Sequence, residues 1–141
     1  WSPARVFMGD VGSTFLGALF AALVMQASSW QGALARLLLL TPLLADACLC
    51  VPRRLLAGQP ILQAHRLHLF QRLHQAGWTH AQVAALYGGA SSLLAVVFVA
   101  GQLASLVALA LFEVVLGFVL DRSVAVPFPV AASEMTRHDS P

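Results

Sequence analysis

Between Ala81 and Leu120 the chain carries a single charged side chain, Glu113. A bilayer core is spanned by about 20 consecutive apolar residues, so this stretch is too long for one crossing. It divides at Gly101-Gln102 into a hairpin of two helices, about 81–100 and 103–120. Two further apolar segments precede it, at about 11–29 and 33–51. Composition agrees: 59% of residues are hydrophobic and 10% charged, with a mean hydropathy of +0.79, whereas a soluble domain carries about 25% charged residues. The expected fold is an all-α, multi-pass transmembrane helical bundle with about four transmembrane helices and a cytoplasmic amphipathic helix. A net charge of +2, without any basic patch interleaved with aromatics, excludes nucleic-acid binding.

Punctuation residues set the boundaries. Trp30-Gln31-Gly32 reads as a short turn, and Pro42 and Pro52 as kink points in the second crossing. Gly58-Gln59-Pro60 stops that helix. Thr79 with Gln82 forms a capping-box pattern that starts the third crossing. The intervening loop, 52–80, gathers Arg53, Arg54, Arg66 and Arg72. If it is cytoplasmic, Arg5, Arg122 and Arg137 also lie inside and only Arg36 lies outside, as the positive-inside rule requires. The tail, 123–141, with Pro127 and Pro129, is expected to be poorly ordered. The chain opens on Trp1 in residues that resemble the middle of a protein, so it is expected to be a portion of a longer one.

Phe7-Met8-Gly9-Asp10-Val11-Gly12-Ser13 sets one carboxylate between glycines at the mouth of the first apolar segment. An acid there is costly unless it is used, and glycines allow close approach of backbone and ligand. Asp46, inside the second crossing, is either part of a polar pocket or an acid paired with an arginine for insertion. The segment from His65 to His74 can be drawn as an interfacial helix with His65, His68, Arg72 and Gln75 on one face and Leu69, Phe70 and Leu73 on another. As a metal pair, His65 and His68 lack a further well-placed ligand. Cys48 and Cys50 point about 200° apart on a helix and read as small apolar fillers. Arg53-Arg54 is a stop-transfer pair or a phosphate contact. Glu113 belongs to a proton or ion path, or faces a partner helix. His74 and His80 read as surface residues. Carboxylates that can hold Mg²⁺, together with cations that can neutralise phosphate, suit phosphoryl transfer.

These blocks resemble the polyprenyl-phosphate N-acetylhexosamine-1-phosphate transferases, a family related to the peptidoglycan translocase. The similarity rests on residues 7–13, on Pro42-Leu43-Leu44-Ala45-Asp46 with Arg53-Arg54, and on Ala64-His65-Arg66-Leu67-His68 after Gly58-Gln59-Pro60. The resemblance implies transfer of a sugar 1-phosphate from a UDP-N-acetylhexosamine to undecaprenyl or another polyprenyl phosphate at the cytoplasmic face of a bacterial inner membrane. Mg²⁺, or Mn²⁺ in its place, would be the cofactor. Asp10 would be the catalytic, metal-linked carboxylate and Asp46 a catalytic residue supporting the pocket. Gly9, Gly12, Ser13, His65, Arg66 and His68 would bind the nucleotide sugar. His65 stands where many members have Asp, which resembles the branch that initiates O-antigen or exopolysaccharide synthesis. The family has about ten crossings, and its N-terminal half supplies further acidic residues, so this chain alone is expected to be inactive. A homodimer is left open. The rival readings are a truncated, non-catalytic membrane module and a transporter segment with Asp46 and Glu113 on an ion path.

Overall fold

The computed structural model describes residues 9–60 and 65–138, with side chains as far as residue 133. Arg5, Phe7, Met8 and Ala64 lie outside the described residues, as does the side chain of Arg137. Among the described residues seven helices follow in order: α1 (Gly9–Met25), α2 (Trp30–Leu38), α3 (Thr41–Leu56), α4 (Leu69–Gln75), α5 (His80–Val99), α6 (Leu103–Ser123) and α7 (Phe128–His138). No strand occurs among the described residues, and the fold is an all-α membrane bundle.

The hairpin of α5 and α6 matches the expected pair of crossings, and both helices are long and apolar enough to span a membrane. The Thr79 box forms as the pattern predicts. Gln82 Oε1 accepts from Thr79 N–H at 2.8 Å, and Thr79 Oγ1 accepts from Gln82 N–H at 3.2 Å. Thr79→Ala is expected to destabilise the start of α5 by about 1 kcal/mol, read as a lowered thermal midpoint of the helical circular dichroism in detergent. Gly58 and Gly77 close α3 and α4 at φ +67° and +101°. In both, the next residue reaches back to a carbonyl of the last turn, Gln59 N–H to Arg54 O at 3.0 Å and Trp78 N–H to Leu73 O at 3.1 Å. A side chain there would strain the left-handed backbone that makes those bonds possible.

The expected second crossing, 33–51, is two helices meeting at 82°. Pro42 has no N–H to offer the Leu38 carbonyl, and the Thr41 hydroxyl donates to that carbonyl instead, at 2.6 Å. The helix restarts beyond it, with Leu44 N–H on Leu40 O at 2.9 Å. Pro52, the other expected kink point, lies within α3, which runs on to Leu56. Trp30-Gln31-Gly32 is the first turn of α2 rather than a separate turn, because Ser29 Oγ accepts from Gly32 N–H at 3.1 Å and caps the helix. The first crossing is shorter than expected: α1 has 17 residues, a length of about 25 Å.

The tail also departs from expectation. Pro127 starts α7, its carbonyl accepting from Val130 and Ala131 N–H at 3.0 and 3.1 Å. Ala131 and Ala132 then pack with Cys50 and Leu67, flanked by Val126 and Phe128. A second cluster, Ala35, Leu94, Leu106 and Ala110, joins α2, α5 and α6. Elsewhere large apolar side chains face outward; α1 buries none of its residues and Val11 is 87% exposed. In water each such side chain forgoes about 1.5–3 kcal/mol of burial, whereas lipid is as apolar as leucine and makes no such demand.

Candidate functional site

Asp46 organises the site. It is 7% exposed, and its two carboxylate oxygens reach three elements. Oδ1 accepts from Leu69 N–H at 2.8 Å and faces His68 Nδ1 at 3.5 Å, and Oδ2 accepts from Tyr87 O–H at 3.2 Å. Leu69 is the first residue of α4, so the carboxylate occupies the positive end of that helix, where negative charge is favoured. It also explains why the expected helix from His65 to His74 begins only at Leu69. His68 is extended, at φ −62° and ψ 152°, and its N–H donates to Gln71 Oε1 at 3.1 Å. The backbone before it is therefore a strap laid across α3 rather than a helical turn.

The interfacial-helix reading fails at Arg72 as well. This side chain turns inward and is 2% exposed, beside the fully buried Leu73. Its guanidinium donates to Leu67 O at 3.1 Å, to Val126 O at 2.8 Å, and to Asp121 Oδ1. Asp121 also receives Arg53 at 2.8 Å. One α6 carboxylate thus holds cations from α3 and α4, and the second guanidinium of the Arg53-Arg54 pair is buried at 1% exposure and donates to Pro60 O. These arginines bind the loop to the bundle. Neither Asp121 nor the inward turn of Arg72 is signalled by sequence, because the two residues lie 49 positions apart.

His65 and His68 lie side by side, ring centroids 4.9 Å apart. Burial, then the charge of Arg54 and of His68, lowers the His65 pKa against the opposing pull of Asp46, which favours a neutral imidazole at neutral pH. His65 can therefore meet a phosphate oxygen by a hydrogen bond rather than as a cation. Arg66 is exposed and faces a different space, a groove of about 750 Å³ that it lines with Phe70, Gln71, His74 and His80. The His74 and His80 rings stack at 3.9 Å along that groove. A smaller cavity of about 70 Å³ lies among α3, α5 and α6, where Asp46, Cys50, Tyr87 and Glu113 contribute to its lining.

Asp10 is exposed in the first turn of α1 with Gly9 at φ +67° and Gly12 half-buried. Ser13 Oγ donates to the Asp10 carbonyl at 3.1 Å. Among the described residues no hydrogen bond or ion pair joins Asp10 to the Asp46 cluster. The structure thus brings Asp46, His65 and His68 together and leaves Asp10, Gly9, Gly12 and Ser13 as a separate helix mouth. The two carboxylates differ in what they can hold. Asp46 is engaged by protein donors, whereas the exposed Asp10 carboxylate offers the hard oxygen that Mg²⁺ takes alongside water and substrate phosphate.

Residues 1–28 match the family described as Glycosyl transferase family 4. The chain is also similar to a protein of Streptomyces coelicolor named "Putative glycosyltransferase", with 35% identity over 95 residues. That similarity takes in 64% of this chain and 23% of the relative's length. No solved structure matches.

Proposed function

We infer that this chain, whose opening segment belongs to glycosyl transferase family 4, works in a membrane enzyme that moves N-acetylhexosamine 1-phosphate from a UDP-sugar to undecaprenyl or another polyprenyl phosphate. The activity is that of the whole protein, to which this segment would contribute the Asp10 helix mouth and the Asp46–His68 strap. The observation that carries the reading is the family match over residues 1–28, which takes in Asp10 and the glycines around it.

In this reading a phosphate oxygen of the lipid attacks the β-phosphorus of the UDP-sugar, the bond from that β-phosphorus to the bridging oxygen breaks, and UMP leaves carrying that oxygen on its α-phosphorus. Positioning and charge neutralisation carry most of such a transfer. Asp10 would hold Mg²⁺, with Mn²⁺ as a substitute, and the ion would offset the charge of the diphosphate. His65 and His68 would hydrogen-bond phosphate or sugar oxygens, Arg66 would approach from the groove side, and Gly9, Gly12 and Ser13 would let the diphosphate close on the α1 backbone. Asp46 acts through His68, orienting its ring and fixing the turn into α4. The site would face the cytoplasm, where UDP-sugars are found, and the product would initiate a cell-envelope polysaccharide.

The test is transfer of radiolabelled sugar 1-phosphate from UDP-N-acetylhexosamine into extractable lipid by membranes carrying the protein. Label should enter lipid only when polyprenyl phosphate and a divalent cation are supplied, and chelation should abolish it. Labelled lipid formed at an equal rate in excess chelator would overturn the assignment of a metal-dependent transfer, and no labelled lipid from any UDP-N-acetylhexosamine would overturn the reaction itself.

A further inference from the structure

Cys50, His65 and His68 converge although no step above uses all three. One donor atom from each, the Cys50 Sγ and a ring nitrogen of either histidine, lies within 4.8 Å of the others. A thiol and two imidazoles are donors that zinc takes, and three protein ligands with an open fourth position is a common zinc arrangement. Bonds of about 2.0–2.3 Å give tetrahedral edges of roughly 3.3–3.8 Å, so the cluster must contract by about an ångström. Two of the three ligands sit on the non-helical strap ahead of α4, which can make that adjustment while α3 stays fixed.

The surroundings favour this use. His68 Nδ1 faces Asp46 Oδ1 at 3.5 Å, and Asp46 is itself held by Leu69 N–H and Tyr87 O–H. A carboxylate behind one ring nitrogen fixes the tautomer that presents the other, as it does behind most metal-ligating histidines. His65 Nδ1 accepts a long 3.4 Å contact from Leu67 N–H, which a metal can displace. Cys50 is 3% exposed, enclosed with Leu67 and the two alanines of α7. The Cys50 thiolate and the Asp46 carboxylate offset a dication, while the nearby Arg53 and Arg72 are engaged by Asp121 and the buried Arg54 donates to Pro60 O.

We propose that Cys50, His65 and His68 form a binding site for a thiophilic divalent cation of the zinc type, separate in place and in ligand chemistry from the hard ion assigned to Asp10. Soft nitrogen and sulfur donors select zinc over magnesium. Existence of the site does not depend on the transferase reading. If both are correct, zinc occupies the imidazoles that the nucleotide sugar needs and so opposes its binding.

Cobalt(II), which reports thiolate ligation in its absorption spectrum, tests the site in detergent-purified protein. One equivalent per chain should produce a thiolate-to-metal charge-transfer band that zinc abolishes and excess Mg²⁺ does not. Cys50→Ser should lose the band, and Cys48→Ser should keep it. His68→Gln should lose stoichiometric binding, which covers the case where the serine variant does not fold, as judged by its helical circular dichroism. No band, a band that survives Cys50→Ser in folded protein, or a band lost with Cys48→Ser overturns the site. Because the readout is spectroscopic, its failure leaves the sugar-phosphate transfer standing, and failure of transfer leaves the metal site standing.

Discussion

Transfer of labelled sugar phosphate is expected to fall by about 10²–10³ when Asp10 becomes asparagine, the size of effect seen when one preorganised charge-stabilising group is removed. Asparagine keeps the shape of the side chain and one carbonyl oxygen, so the loss isolates the charge. The same carboxylate lies in the first turn of α1, where its interaction with the helix dipole contributes about 0.3–1 kcal/mol at an exposed position. The variant should therefore be nearly as stable as the parent while being almost inactive. Raising Mg²⁺ should recover part of the rate, because a weakened ligand is offset by mass action. Near-normal turnover with the asparagine, at unchanged Mg²⁺ dependence, would sink the metal role of Asp10.

Asp121→Ala should have the largest effect on stability. The substitution strips Arg72, which is 2% exposed, of its only carboxylate partner among the described residues and leaves Arg53 without its 2.8 Å ion pair. Removing one partner of a buried pair costs about 3–5 kcal/mol, because an uncompensated charge stays behind. Arg122 supplies the contrast. Its guanidinium sits 4.8 Å over the Phe118 ring, and an exposed cation–π contact is worth about 0.5–1 kcal/mol. Chemical unfolding in detergent should thus separate the neighbouring variants Asp121→Ala and Arg122→Ala by several kcal/mol. Equal midpoints would show that the α3–α4–α6 clamp does not hold the loop.

Local features were legible in sequence and distant ones were not. The Thr79–Gln82 box, the stop at Gly58 and the break at Gly101-Gln102 depend on residues within one turn of each other, and each forms as read. Pro42 was visible as a disturbance, but the depth of the bend depends on the Thr41 hydroxyl taking over the Leu38 carbonyl. A proline pattern alone does not carry that information. Pro127 and Pro129 suggest an interrupted chain, whereas α7 is held by the fit of two alanines against Cys50 and Leu67. Helical periodicity places Arg72 on a polar face, and its actual direction is set by Asp121 on a helix 49 positions away. Within the site, Asp46, His65 and His68 were each picked out by residue type. That Asp46 serves as the anchor of the strap follows only from its contacts with Leu69 and Tyr87. The neighbours of Cys50 in sequence are apolar and mark it as filler; in space two imidazoles stand beside it as well as Leu67 and the alanines of α7.

The docking of α7 gives a helix distant in sequence a grip on the strap. Leu67 stands between His65 and His68, and on its other side lie Ala131 and Ala132. A displacement of α7, by an antibody fragment or a neighbouring protein, would be felt at Leu67, which lies between the two histidines in the strap. That helix is therefore a handle by which the histidine pair can be moved from outside the site.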